Sequence, residues 1–177
     1  MGHGQPGVCP KVSGKFDNEA ELAVMIGKTV PRHVKREPAL QYLAGYSGFN
    51  DMSVRDYQKR KPQWTIGKSF DATGGFGPML VTPDELSPDA TGLRIQSRSK
   101  GAVMQDAKTR DMIFAVDETI ALLAECMTLE PGDAIIMGTP AGVSQARTPP
   151  VWMKAGDVIE IEIEHLGLLR NPIALEA

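Results

Sequence analysis

The sequence predicts an α+β fold, mostly β. Three observations lead there. Short apolar runs, several with period two, recur along the 177 residues and are bounded by turn residues. Only one stretch of fair length has helical period, with Phe114, Ile120, Leu123 and Ala124, and it runs to about Cys126. The 18 glycines and 13 prolines supply many turns and favour short elements over long ones. Hydrophobic residues make up 42% and charged residues 23%, enough for one domain with a real core.

Taken in order, residues 1–15 read as an extended N-terminal segment rich in Gly and Pro, and residues 16–177 as one domain. In FDNEAELAVMIGK the apolar residues Ala20, Leu22, Val24 and Ile26 alternate with the rest, which predicts a strand over 19–27. Arg36 to Leu43 reads as a short helix, and Ala44 to Asn50 as a strand that delivers Asp51. Ser53 then caps a short helix, SVRDYQ, with Arg55 and Gln58 three apart on one face. The Gly-dense stretch Ile66 to Pro78 reads as an irregular loop, and Met79 to Thr82 as a short strand. Leu93 to Ser97 and Ala102 to Gln105 form a hairpin around Lys100-Gly101. After the helix, Cys126 and Met127 are expected in or near the core. Asp133 to Gly138 and Val158 to Glu164 are strands, each opened by a Gly-Asp turn. Leu168 to Leu175 returns after the turn at 165–167. His33 and His165 are expected in turns, facing solvent.

Composition excludes several function classes. A net charge of −3 without a basic stripe argues against nucleic acid. No apolar run approaches membrane-spanning length, and no signal peptide is expected. Cys9 and Cys126 are too few and too scattered for a disulfide framework or a zinc site, so a reducing, cytoplasmic setting is expected. Gly74, Gly75 and Gly77 lack the Lys-Ser/Thr pattern of a phosphate loop. No Ser-His-Asp arrangement is readable, which disfavours a nucleophilic hydrolase.

The chemistry-bearing pattern is a set of carboxylates. Period two puts Glu19 and Glu21 on one face of their strand, shared with Ala23 and Met25. Carboxylates side by side on a partly covered surface repel, and a divalent cation relieves that repulsion. Asp51, closing the apolar run YLAGYSGFND, is placed to add a third oxygen ligand. Such a set suits Mg²⁺ or Mn²⁺, not Zn²⁺. Spacing alone leaves another reading open: two glutamates on an edge strand, discouraging edge-to-edge pairing. Likewise Arg55 and Lys68 read either as anion-binding cations or as surface charges paired with Asp56 or Asp71.

The run ELAVMIGK, then GYSGFNDMSVRDYQ, then GKSFDATGGFGPMLVT, then MGTPAGV, resembles the fumarylacetoacetate hydrolase family in this order. The likeness extends from about Phe16 to the C-terminus, through PGDAIIMGTP and GDVIEIEIEHLGLLRNP. The resemblance implies a mixed β-roll or sandwich of that family's C-terminal domain type, usually dimeric. It implies bound Mg²⁺ or Mn²⁺, with Glu19, Glu21 and Asp51 as metal ligands. Arg55, Lys68 and Thr139 are implied as catalytic, and the same three with Gln58 as substrate-binding. Met137 departs from the family, which usually has Thr before Gly-Thr-Pro.

The activity implied is a metal-dependent hydrolase or lyase acting on a C–C bond of a small keto or enol (di)carboxylic acid. Acylpyruvate hydrolysis, oxaloacetate-type decarboxylation and isomerisation in aromatic catabolism all belong to the class. In many members a His and a Glu on a lid upstream of the first glutamate activate water. Only eighteen residues precede Glu19 here, so the lid is expected to be missing. The alternative expectation is therefore a dimeric scaffold whose catalysis is lost or impaired.

Overall fold

Alternating burial along paired strands organises the chain into two packed sheets. A computed structural model describes all 177 residues. The elements, in chain order, are β1 (Gly7–Cys9), β2 (Phe16–Asp17), β3 (Ala20–Ile26), β4 (Leu43–Asp51), β5 (Ser53–Val54), α1 (Arg55–Gln58), β6 (Gly74–Val81), β7 (Arg94–Ser99), β8 (Ala102–Lys108), α2 (Val116–Cys126), β9 (Ala134–Ile136), β10 (Val158–Ile163) and β11 (Gly167–Leu175). One sheet has the order β6-β4-β3-β9, the other β1-β11-β10-β7-β8, and β2 pairs with β5 alone. Every pairing is antiparallel except β1 with β11. The α+β, mostly β expectation is the observed architecture.

Between the sheets lies one apolar core. Leu22 and Val24 of β3 and Tyr46 of β4 share it with Ile159, Ile161 and Ile163 of β10 and Leu169 of β11, all essentially inaccessible to water. Period two explains which residues go in: the even positions of β3 face this core, so Glu21 faces the other way. Helix α2 contributes Val116, Ile120 and Ala124, one stripe at four-residue spacing. No helix is long and apolar enough to cross a membrane.

Four expectations are corrected. The stretch 66–78 is not all loop: Gly74, Gly75 and Gly77 lie in β6. Glycine is there for close approach rather than for a turn. A Cβ on Gly75 would stand 2.6 Å from Asn171 Oδ1. Ser53 caps no helix; it is extended in β5, and Val54 precedes α1 without a side-chain cap. Cys126 and Met127 are exposed, because two residues beyond Ala124 the helix has turned its far side to solvent. Finally, β3 is no edge strand, since β4 and β9 flank it, so the edge-protection reading of Glu19 and Glu21 fails.

The N-terminal segment is extended and joins the structure: Gly7–Cys9 adds a parallel strand beside β11. The hairpin β7–β8 turns on Lys100 and Gly101, both at positive φ, as a two-residue connection requires. His33 and His165 sit exposed in turns, also at positive φ.

Candidate metal centre

Antiparallel register assembles the acidic site. Ala20 pairs with Asn50 and Glu21 with Phe49, so Glu19 stands opposite Asp51, whose N–H donates to the Glu19 carbonyl at 3.0 Å. Cross-strand neighbours share a face. The side chains of Glu19, Glu21 and Asp51 therefore converge, each offering a carboxylate oxygen within 4.8 Å of the others. Glu19 and Glu21 are buried and Asp51 is nearly so.

Lys68 closes the cluster. It ends a short helical turn, Thr65–Lys68, seated against α1: a Cβ on Gly67 would meet the Gln58 backbone N at 2.5 Å. From there its ammonium pairs with Glu19 Oε2 at 2.5 Å, with Asp51 Oδ2, and donates to Ser53 Oγ at 3.0 Å. The alternative pairing with Asp56 or Asp71 is not adopted; Asp56 instead accepts from Ser13 Oγ. Gly138 N–H donates to Glu21 Oε2 at 2.6 Å.

Arg55 differs from expectation. It is buried, with Nε donating to Asp17 Oδ2 at 2.9 Å and one terminal nitrogen, Nη1, donating to Gln58 Oε1 at 3.0 Å. The other, Nη2, lies 2.7 Å from Glu19 Oε1, an ion-pair contact without hydrogen-bond alignment. Its fork is thus engaged by Asp17, Gln58 and Glu19, which ties Arg55 to one of the converging carboxylates. Gln58 uses Oε1 on Arg55, while its Nε2 donates to no other group of the chain. Thr139 is similarly committed. Its hydroxyl donates to the Ala20 carbonyl at 3.0 Å and accepts from Gln105 Nε2 at 2.8 Å. The Thr139 amide N–H, by contrast, has no acceptor within the chain.

Electrostatics fit a cation. Burial first, then repulsion from Asp51 and Glu19, push the Glu21 carboxyl up to about 8, against the Gly138 hydrogen bond and Lys68. Burial also raises Asp51, with Lys68 opposing. Burial works to lower Lys68, but hydrogen bonds to Asp51 and Glu19 outweigh it, so its affinity for the proton rises. Counting Asp17, Glu19, Glu21 and Asp51 against Arg55 and Lys68 leaves two negative charges when all are ionised. One divalent ion neutralises that excess, and an all-oxygen donor set suits a hard ion such as Mg²⁺ or Mn²⁺.

Sequence reading missed Asp17, Ser53, Gln105 and the Gly138 amide. Asp17 carried a signal: 17, 19 and 21 continue the same alternation. Gln105 carried none, being joined to Thr139 and Ala20 only by the fold.

Comparison with known proteins shows the family of this fold. Residues 1–174 match the family described as fumarylacetoacetate (FAA) hydrolase C-terminal. The oxaloacetate tautomerase fahd2, mitochondrial, of Xenopus laevis is 42% identical over 175 residues, covering 98% of this chain and 54% of that protein. Oxaloacetate tautomerase YisK of Bacillus subtilis is 42% identical over 163 residues, covering 92% and 54%. The chain spans about half the length of the curated relatives it matches. Among solved structures, the fumarylacetoacetate hydrolase of Exiguobacterium antarcticum superposes with a TM-score of 0.93 at 37% identity, over 99% of this chain and 62% of that one. The 5-carboxymethyl-2-hydroxymuconate delta-isomerase of Mycobacterium smegmatis gives 0.89 at 30% identity, over 99% and 65%. Sequence, fold and the acidic cluster thus agree that the chain belongs to the fumarylacetoacetate hydrolase family, as a form of its C-terminal domain.

Proposed function

We propose that this chain is the metal-binding catalytic domain of an enzyme acting on a small keto or enol dicarboxylic acid, with keto–enol tautomerisation of an oxaloacetate-like substrate as its reaction. The observation that carries the reading is the convergence of Glu19, Glu21 and Asp51 beside Lys68. The tautomerase names of the relatives support the choice of reaction.

Glu19, Glu21 and Asp51 would hold a divalent ion, which would supply Lewis acidity toward a 2-keto carboxylate. The chain's own groups do the rest. Lys68 spends its three protons on Glu19, Asp51 and Ser53; with a cation on those two carboxylates its ammonium, partly open to solvent, would be released to donate to an anionic substrate oxygen. The unpaired Thr139 N–H and Gln58 Nε2 supply neutral donors for a carboxylate. Arg55 holds Glu19 in place from below. Tautomerisation moves one proton between the methylene carbon and the keto oxygen; decarboxylation needs the same enolate stabilisation and is the runner-up reaction for this site.

We further propose a homodimer. Ile113, 91% exposed, and Phe114 form an exposed apolar rim of the groove of about 440 Å³ that reaches Gly138 and Thr139, and self-association would cover that rim while leaving the Thr139 end open. The free thiols of Cys9 and Cys126 are in keeping with a reducing compartment.

The test follows the enol form of oxaloacetate by its ultraviolet absorption, with Mn²⁺ alone, with the chain plus Mn²⁺, and with Asp51→Asn plus Mn²⁺. Carbon dioxide release is followed in parallel. The proposal expects tautomerisation faster than metal alone and lost in Asp51→Asn. Rates equal to free Mn²⁺ would leave the inactive scaffold standing. Rapid hydrolysis of acetylpyruvate would assign the site to a different reaction.

A further inference from the structure

Asp17, at the end of β2 and two residues before Glu19, is fully buried, yet nothing in the proposed chemistry uses it. Its carboxylate accepts four hydrogen bonds. Oδ1 takes the N–H groups of Asn18 at 2.9 Å and Ser144 at 3.0 Å; Oδ2 takes Gln145 N–H at 3.0 Å and Arg55 Nε at 2.9 Å. Through Arg55 it reaches Glu19, and through Glu19 it reaches Lys68 and Asp51. A buried guanidinium placed between two carboxylates divides its charge between them. If Asp17 were neutral, Arg55 would be drawn wholly onto Glu19 and would compete with any cation there. The same carboxylate fixes the segment 144–145, which follows Gly138 and Thr139 along the wall of the site.

We propose that Asp17 is a positioning residue of the cation site. Acting through Arg55, it sets where the Glu19 carboxylate points and how much of its charge remains for the ion. This rests on the reading of Glu19, Glu21 and Asp51 as cation ligands. Outer residues of this kind change metal affinity by about 10- to 100-fold when removed.

The experiment is a double-mutant cycle read by Mn²⁺ affinity, measured from the electron paramagnetic resonance signal of free Mn²⁺, with thermal melting as the check on folding. The variants are Asp17→Asn, Arg55→Gln and both together. Asp17→Asn is expected to weaken Mn²⁺ binding by about tenfold or more in the wild-type background, and to change it little once Arg55 is Gln. A loss of the same size in both backgrounds would overturn the route through Arg55. Asp17→Asn that melts earlier but binds Mn²⁺ as wild type does would reduce Asp17 to a structural residue. Should Asp17→Asn not fold, Arg55→Lys reads the same link, because an ammonium cannot fork across Asp17 and Glu19. It is expected to weaken Mn²⁺ binding in the same direction, and unchanged affinity would overturn the proposal. Wild-type protein that binds no Mn²⁺ sinks the functional reading and this proposal with it, whereas wild-type binding unaffected by these variants sinks this proposal alone.

Discussion

Gly138 N–H meets Glu21 Oε2 at 2.6 Å although 117 positions separate them in the chain. Gly138, two positions beyond β9, thus fastens one of the three converging carboxylates. That bond favours the charged form of Glu21, yet burial and the neighbouring Asp51 and Glu19 outweigh it. The site without an ion therefore tends to keep a proton.

This gives a pH dependence with a definite sign. Glu21 titrates at about 8 in the fold, above its ordinary value of 4.5. The fold binds this proton more tightly than the unfolded chain does, so its contribution to stability is complete below about 4.5 and is lost as pH rises through about 8. Metal binding must displace the proton. The melting temperature gained on adding Mn²⁺ should therefore be larger at about pH 8 than at about pH 6. Thermal melts at the two pH values check it; an equal gain would show that Glu21 is already ionised without metal.

Replacing Glu21 with Gln should separate stability from binding. The amide keeps an acceptor for Gly138 N–H and removes a buried charge beside Glu19 and Asp51. The metal-free variant at about pH 8 should be more stable than wild type by about 1 kcal/mol or more, or about 2–4 °C. Its Mn²⁺ affinity, read by calorimetry, should fall. A variant that melts lower and still binds the ion would contradict both halves.

Much of this site could be read before the fold was known, and the reasons are local. Glu21 is the second residue of β3 and Glu19 the residue just before it, two apart, so extended backbone alone puts them together. Asp51 ends an apolar run that proved to be the adjacent strand. The supporting layer is different, because it is made by long-range contacts that leave no periodic trace. In sequence Arg55 read as an anion-binding cation or as a charge paired with Asp56 or Asp71, and only the fold sets its fork between Asp17, Gln58 and Glu19. Thr139 looked like a hydroxyl aimed at substrate, and only Gln105, from the other sheet, occupies it. The glycines at 74–77 were misread for a physical reason: glycine permits both a turn and a crowded strand, and only the neighbour at Asn171 decides which.

The Thr139 hydroxyl should matter to the frame more than to turnover. Thr139→Val keeps the shape but leaves Gln105 Nε2 short of one acceptor and the Ala20 carbonyl without that donor. The expected cost is about 1–3 kcal/mol of stability. Thr139→Ser should restore most of it. If denaturant unfolding shows Val equal to wild type while turnover collapses, the hydroxyl acts on substrate after all.

Beside the strand that carries Asp51, Gly75 of β6 should tolerate no side chain. It pairs with Asn50, the residue before Asp51, so a shift of β6 is passed to the ligand. A Cβ at Gly75 would lie 2.6 Å from Asn171 Oδ1 and 3.4 Å from Asn50 Cβ. The Asn171 side chain cannot simply turn aside. It is fully buried, and its Nδ2 donates to the carbonyls of Gly2 at 3.1 Å and Gln5 at 2.9 Å. Gly75→Ala must therefore either push β6 from its neighbour or break those two bonds. Overpacking of this kind costs about 1–3 kcal/mol. Adding Asn171→Ala removes the obstructing oxygen. The pair should then destabilise by less than the sum of the single changes, with Mn²⁺ affinity partly recovered. Chemical denaturation and Mn²⁺ titration of the four proteins measure both. Strict additivity would mean that the obstruction at Gly75 is not Asn171.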